Sequence, residues 1–301
     1  MHKFLIVFVA LALVSVGCDK SESIETGSGI QIRGTGTFTF DQFSPLANKP
    51  VQVFYHIPQD ATEDTPILMV FHGAGRDAQG GRDALISAAD QRNFIVVAPE
   101  FSDEFYPGGD SYNLGNIFVD GDNPTPQTLN PEEEWTFSVV DPIFEYVKSI
   151  TGSTQPSYDV FGHSAGGQFV HRLVIFKPNA KFNRVVAAAS GWYTMPDDEV
   201  IFPYGLEESP RENLDLSNLY STSITVMIGS ADNDPNAPGL RHNIYADAQG
   251  DDRLERAQYF YNENLATAQS LNISWNWNYQ LLPNVGHDFE ATSSAAVVGL
   301  Y

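Results

Sequence analysis

The segment GHSAGG at residues 162–167 constrains this chain more than any other. It follows the apolar stretch YDVF and leads into AGGQFVHRLVIF, whose residues favour a helix. A serine flanked by glycines between a buried strand and a helix is typical of a very tight strand–turn–helix junction, the nucleophile elbow. The junction presents the serine hydroxyl at a helix N-terminus, where the helix dipole stabilises developing negative charge. Ser164 is therefore predicted to be a catalytic nucleophile.

Apolar runs and helix-compatible stretches alternate along most of the chain. Runs such as Ile67–His72 and Phe94–Ala98, bounded by Pro or Gly, are typical of strands buried in a parallel sheet. Further strands are predicted at Thr35–Phe40, Val51–Ile57, Tyr158–Gly162, Val185–Ser190, Ile224–Gly229 and Ile273–Leu282. Helices are predicted at 81–92, Glu132–Ile150, Ala165–Phe176, 250–271 and 287–300. This order predicts an α/β fold, with a mostly parallel central sheet and helices on both faces.

A serine hydroxyl needs a base to activate it, and the base needs a third group to orient it. With a nucleophile elbow, the three residues follow in the chain order serine, acid, histidine. His287 lies between the last predicted strand and the last predicted helix, and it is the predicted base. His56 and His171 are interpreted as structural histidines.

The acid is expected in the loop after the strand at Ile224–Gly229. Asp232 is favoured over Asp234, which precedes a proline and suits a turn. Asp197 and Asp198, which follow the preceding strand, are more distant alternatives.

An oxyanion hole in such an enzyme uses two backbone N–H groups. One is expected from Ala165, directly after the nucleophile. The other is expected from the small residues of the loop HGAG after the strand at Ile67–His72. Ala74 is the predicted donor there, with Gly75 as the alternative.

The motifs FHGAGRD, APEF, YNLGNIF, EEEW, DVFGHSAGGQFVHR, GWYTMP, GSADNDPN and VGHD resemble those of the α/β-hydrolase fold. Within it, the chain resembles the polyhydroxybutyrate-depolymerase and feruloyl-esterase-like group of bacterial hydrolases, over residues 50–290. The resemblance implies a serine esterase with Ser164, Asp232 and His287 as its triad and the amides of Ala74 and Ala165 as oxyanion donors. The chain lacks the paired cysteines and the polymer-binding module of many secreted depolymerases, which puts a polymeric substrate in doubt.

Two aromatic residues, Trp192 and Tyr193, lie just beyond the strand at Val185–Ser190. Substrates of open α/β sheets bind at the carboxyl ends of the strands. Both residues are therefore predicted to contact the substrate, with core packing as an equal alternative for Trp192.

The chain of 301 residues carries 16 Lys and Arg against 38 Asp and Glu, a net charge of −22. This balance excludes a nucleic-acid-binding protein, because phosphate recognition needs clustered basic residues. No cofactor or metal is predicted, since no dinucleotide, phosphate-loop or zinc motif occurs. Acidic pairs in Asp120–Asn123 and Asp232–Asp234 could bind calcium, but they lack the EF-hand spacing.

Residues 1–17 have a basic start and a thirteen-residue apolar run, which predicts a signal peptide rather than a membrane span. The only cysteine, Cys18, follows at once and resembles the lipidated residue of bacterial lipoproteins, although Ser15 stands where Leu is usual. We expect a lipid anchor at Cys18, a flexible tether at 18–33 and a single catalytic domain at 34–301. The alternative is a plain secretory signal.

Together these features predict an exported lipoprotein, held at the cell envelope (outer membrane or cell surface) by its lipid alone. It would cleave carboxylic esters, small or polymer-derived, through an acyl-enzyme. A peptidase with the same fold and a non-catalytic binding lipoprotein are the alternatives.

Overall fold

A computed structural model describes residue 30 and residues 32–301. Its strands are β1 Gly34–Phe40, β2 Val51–Ile57, β3 Ile67–Phe71, β4 Ile95–Glu100, β5 Tyr158–His163, β6 Phe182–Ala188, β7 Ser223–Gly229 and β8 Trp277–Leu282. The helices in this part of the chain are α1 Ala78–Asp83, α2 Ile86–Arg92, α3 Gly108–Ser111, α4 Val140–Thr151, α5 Ala165–Phe176, α6 Leu216–Ser221, α7 Ile244–Asp247, α8 Arg253–Ser270 and α9 Phe289–Leu300.

The strands form one sheet in the order β1-β2-β4-β3-β5-β6-β7-β8. Pairing is antiparallel from β1 to β2 and from β2 to β4, and it is parallel across the remaining strands. The predicted α/β architecture with a mostly parallel sheet is therefore confirmed. The carboxyl ends of β3, β5, β6, β7 and β8 meet at one edge, where the loops of interest begin.

Helices cover both faces of the sheet, as the side-chain alternation of the buried strands requires. In β3, Met69 belongs to the core that contains Phe169 of α5. Its neighbour Leu68 points the other way and belongs to the core that contains Ala296 of α9. All five residues of β3 are buried, which explains the continuous apolar run in the sequence.

The structure corrects two predicted elements. The helix predicted at Glu132–Ile150 begins only at Val140, because Trp135 is extended and its indole N–H donates to the carbonyl of Asn130. The strand predicted from Ile273 begins at Trp277. The first residues of the predicted strand lie outside the sheet, and the amide of Asn276 donates to the carbonyl of Tyr220 instead.

The predicted signal peptide, Cys18 and most of the predicted tether lie outside the described residues. Two residues at the end of the predicted tether contact the domain. Ile32 packs against the core, and the guanidinium of Arg33 donates to the carbonyls of Gln59 and Ala61. None of the helices in the described part of the chain has the length and apolarity of a membrane span.

An aromatic cluster fills the core beneath the carboxyl end of β3. Phe169 is fully buried at its centre. Its ring centroid lies 4.6 Å from Phe71, 4.8 Å from Phe137 and 5.3 Å from Tyr112. The cluster links α5 to the strand and the loop that flank Ser164.

Replacing Phe169 with Ala should lower the free energy of unfolding by about 3–5 kcal/mol, because the cavity left among these rings cannot close. Phe169→Leu keeps most of the volume and should cost less than half as much. Urea denaturation of both variants and the wild type measures the difference. Equal costs for the two substitutions would contradict the packing described here.

Candidate active site

Ser164 occupies the turn between β5 and α5 with φ 59° and ψ −117°, a conformation that residues with side chains rarely adopt. Its amide donates to the carbonyl of Ala188 at 2.9 Å, which fixes the turn on β6. The flanking glycines are a steric requirement. A Cβ at Gly166 would overlap the carbonyl of Phe71, and a Cβ at Gly162 would overlap the carbonyl of Gly166.

The structure brings Ser164, His287 and Asp232 into one hydrogen-bonded line. Ser164 Oγ lies 3.0 Å from His287 Nε2, and His287 Nδ1 lies 2.7 Å from Asp232 Oδ2. Asp232 lies after β7 and is 4% exposed, whereas His287 directly precedes Asp288, which caps α9. A proton can pass from the hydroxyl to an imidazole whose orientation is fixed by a buried carboxylate.

The alternative acids lie elsewhere. Asp234 is exposed and accepts the amide N–H of Asn236 within its own turn. Asp197 and Asp198 accept the amides of Glu199 and Asn213.

Arg253, which the sequence analysis missed, is a second partner of Asp232. Its guanidinium N–H donates to Asp232 Oδ1 at 3.3 Å, and both side chains are buried. Each carboxylate oxygen of Asp232 therefore has its own partner, Arg253 for Oδ1 and His287 for Oδ2. Arg253 is the first residue of α8, and no local motif marks it, because only the folded chain brings α8 to the loop after β7.

Ala74 and Ala165 border the same cavity as Ser164. Ala165 is the first residue of α5, where a backbone N–H has no intrahelical acceptor and is free to bind an anion. Gly75, the alternative donor, borders a neighbouring cavity instead.

The loop that carries Ala74 is held by its neighbours. Arg76 donates to the carbonyls of Phe101, Tyr106 and Gly108, and its guanidinium lies 4.4 Å from the ring centroid of Tyr112. These contacts join the loop after β3 to the loop after β4, so the position of the Ala74 amide depends on both.

His72 adds a further link between these two loops. Its Nδ1–H donates to the carbonyl of Gly73 at 2.9 Å, and its Nε2 accepts the amide N–H of Phe101 at 3.0 Å. The carbonyl of His72 itself accepts the hydroxyl of Tyr112 at 2.7 Å. A ring nitrogen that accepts a bond must be unprotonated, so this arrangement requires a neutral imidazole.

The cavity at Ser164 measures about 240 Å³ and has a mostly polar lining. It is bordered by the loop after β4, by the residues after β6 and by a segment that the sequence analysis did not predict. The loop after β4 contributes Gly109, Asp110, Asn113, Leu114 and Asp122. The residues after β6 contribute Gly191 and Trp192, and the third segment contributes Gly239 and Arg241.

Trp192, a predicted substrate contact, forms part of the cavity wall and is only 4% exposed. Its ring lies between two guanidinium groups, 4.2 Å from Arg172 and 5.0 Å from Arg241. Arg172 is fully buried, and burial holds its pKa below the ordinary value.

The prediction that Tyr193 contacts the substrate is wrong for its side chain. Tyr193 is fully buried and does not border the cavity. Its ring stacks on Phe260 of α8 at 4.3 Å, and its backbone exchanges hydrogen bonds with the side-chain amide of Gln249. Trp192 and Tyr193 both belong to the hydrophobic core, but only Trp192 also borders the cavity.

His163 lies directly against His287, with the two ring centroids 4.7 Å apart. Thr292 donates its hydroxyl hydrogen to the carbonyl of Asp288, so it accepts the Nδ1–H of His163. Burial, followed by the nearby His287, lowers the pKa of His163 to about 3. A second positive charge is thereby kept away from His287.

The acidic pairs considered for calcium have other partners. Asp120 accepts the side-chain amide of Asn123, and Asp122 forms an ion pair with Arg241 at 2.5 Å. Among the described residues, no group of three or more His, Cys, Asp or Glu side chains is placed to bind a metal ion.

No family model matches this chain, and no curated protein does. Among solved structures, it is similar to poly(aspartic acid) hydrolase-1 from Sphingomonas sp. KT-1, with 39% identity over 88% of this chain and 98% of that one and a TM-score of 0.83. It is also similar to the LpqC poly(3-hydroxybutyrate) depolymerase from Bordetella parapertussis, with 32% identity over 90% of each chain and a TM-score of 0.82. A ferulic acid esterase at 16% identity, covering 89% of this chain and 97% of that one with a TM-score of 0.53, shares the fold.

The buried histidines predict how stability depends on pH. Burial lowers the pKa of His72 to about 4 and of His163 to about 3, and it holds the pKa of His171 well below its usual range. In the unfolded chain each titrates near 6.5. Between pH 6.5 and 5 the unfolded chain therefore binds protons that the folded chain does not, and the free energy of unfolding falls as the pH falls.

The slope should approach about 1.4 kcal/mol per pH unit for each of these histidines. Urea denaturation at pH 7, 6 and 5 measures it, and His163→Asn should reduce the slope by one histidine's share. A free energy of unfolding that stays constant or rises from pH 7 to pH 5 would contradict the neutral state of these residues.

Proposed function

Because this chain belongs to the α/β-hydrolase family of serine hydrolases, we propose that it cleaves carboxylic esters through an acyl-enzyme on Ser164. One observation carries the proposal. The hydroxyl of Ser164 is 3.0 Å from His287, which is 2.7 Å from the buried Asp232, and Ser164 borders a cavity together with Ala74 and Ala165. This combination supplies a nucleophile, a base and a site for an oxyanion.

In the first half-reaction, Ser164 Oγ attacks the ester carbonyl carbon while His287 Nε2 takes the hydroxyl proton. The carbonyl oxygen becomes an anion, and the amides of Ala74 and Ala165 donate hydrogen bonds to it. His287 then returns its proton to the departing alcohol, which leaves an ester on Ser164. Water attacks this ester with the same base, and the acid product leaves with Ser164 restored.

Asp232 holds the imidazole in the tautomer that leaves Nε2 free to accept a proton. It also offsets the positive charge that His287 gains during each half-reaction. Arg253 acts on His287 indirectly, through Asp232, because it binds the carboxylate oxygen that His287 does not use.

An uncharged ester suits this chain better than an anionic polymer. With 16 basic and 38 acidic residues, the protein surface repels polyanions. The depolymerase relative is named for poly(3-hydroxybutyrate), an uncharged polyester, and we take esters of short hydroxy acids as the substrate class. Feruloyl esters are the second ester class that the family contains.

Amide cleavage is a second candidate, and one observation favours it. The structure with 39% identity is a poly(aspartic acid) hydrolase, and the units of poly(aspartic acid) are joined by amides. Ester and amide hydrolysis use the same three side chains, so the site alone accommodates both.

The cell envelope is the proposed location of this activity. The apolar run at 4–16 and the single cysteine at position 18 support export and attachment of a lipid. Soluble fragments of larger esters would be the substrates met there.

Reaction of the mature protein with a fluorophosphonate tests for an activated serine without assuming a substrate. The wild type should be labelled stoichiometrically, and Ser164→Ala should not be labelled at all, because the probe bonds only to an activated Oγ. A folded wild type that stays unlabelled would refute the proposal and favour a non-catalytic binding protein. Parallel assays with p-nitrophenyl butyrate and poly(aspartic acid) decide between ester and amide cleavage.

Asp232→Asn should lower kcat for p-nitrophenyl butyrate by about four orders of magnitude, since the amide group stabilises the wrong imidazole tautomer. Asp234→Asn is the matched control, because it changes an exposed carboxylate two residues away and should retain more than half of the activity. Equal losses in the two variants would exclude Asp232 as the orienting acid.

A further inference from the structure

The cavity at Ser164 is too small for more than a short part of a substrate. It measures about 240 Å³, whereas sites that enclose a whole small molecule usually measure 300–1,000 Å³. A substrate longer than one or two units must therefore continue across the protein surface. The question is which surface the remaining units contact.

A line of aromatic rings runs from the cavity wall to the surface. The centroid of Trp192 lies 4.7 Å from that of Tyr204, which lies 5.2 Å from that of Tyr245 with the planes only 18° apart. Trp192 and Tyr204 are each 4% exposed, whereas Tyr245 is 41% exposed. Ile244, the neighbour of Tyr245, is 78% exposed.

Hydrogen bonds hold this line in place. Arg241, which borders the cavity, donates to the hydroxyl of Tyr204 at 3.0 Å and pairs with Asp122 at 2.5 Å. The side-chain amide of Asn243 also donates to the Tyr204 hydroxyl. Tyr245 therefore stacks on a ring that two hydrogen bonds hold in place.

Ile244 and Tyr245 are two large apolar side chains that are adjacent in the chain and both exposed. Half of the exposed large apolar residues in the described part of the chain lie near Asp122 or Arg241 in the sequence, and these two residues form an ion pair. They are Val119, Leu129, Ile244 and Tyr245. The other half lie on α8, on α9, beside α8 and on β8: Tyr259, Val298, Leu271 and Leu281. Single exposed apolar residues are ordinary. Ile244 and Tyr245 differ from them because Tyr245 connects through Tyr204 to Trp192 in the cavity wall.

We propose that Ile244 and Tyr245, supported by Tyr204, form an outer subsite that binds the continuing chain of an oligoester whose reacting unit lies at Ser164. The inference rests on the ester hydrolysis proposed above. The occupant is the substrate itself, because the ring line is continuous with the cavity wall. Its chain is uncharged, since methyl and methylene groups pack on apolar and aromatic side chains while the acidic protein repels polyanions.

The test compares two esters: p-nitrophenyl butyrate, which the cavity can hold, and a linear tetramer of 3-hydroxybutyrate, which extends beyond it. Replacing Ile244 and Tyr245 together with Ser should lower the ratio of kcat/KM for the tetramer to kcat/KM for the short ester by about tenfold, mainly through KM. Tyr245→Phe keeps the ring and should preserve the wild-type ratio. The matched control replaces the exposed Leu271 and Val298 with Ser and should also preserve it.

A ratio that is unchanged in the Ile244→Ser, Tyr245→Ser variant would overturn the subsite and leave ester hydrolysis intact. An equal fall in the control variant would overturn it as well, because the effect would then be one of general surface polarity. A wild type that cleaves neither ester would refute ester hydrolysis and the subsite with it. Thermal unfolding of each variant verifies that the fold is retained.

Discussion

The arrangement of the site depends on how closely α5 approaches the backbone of the sheet. Gly166 lies against the carbonyl of Phe71 so tightly that any Cβ would overlap it. This contact holds the start of α5 against β3, and the Ser164 amide bonds to the carbonyl of Ala188 in β6. Ala165 and Ala74 then border the same cavity as Ser164. A wider separation would move the serine away from a base held by other strands, so a single backbone contact determines whether the site can form.

The charge distribution around Ser164 depends on which of the nearby histidines are kept neutral. His163 and His72 are buried, with pKa values lowered to about 3 and about 4, so neither imidazole carries a positive charge near neutral pH. The carboxylate of Asp232 is shared between His287 and Arg253 in a buried environment. Charge that moves during the reaction therefore acts on fixed partners rather than on solvent.

Local patterns made part of this site predictable from the sequence. The glycines around Ser164 encode a turn within six residues, and the positions of Asp232 and His287 follow from strand order. Arg253 could not be predicted, because it meets Asp232 only through tertiary packing. Tyr193 was misplaced for a related reason, since its stacking on Phe260 of α8 arises only through tertiary packing.

The first turn of α9 has a consequence for how chain length can vary in homologous proteins. Asp288 caps the helix, Phe289 packs on Phe161, and Thr292 accepts a hydrogen bond from His163. Because both ends of the connection from β8 are anchored, one inserted residue, about 3.5 Å of chain, would carry His287 out of reach of Ser164. Insertions and deletions should thus be confined to the cavity rims, where they change specificity while the reaction centre keeps its dimensions.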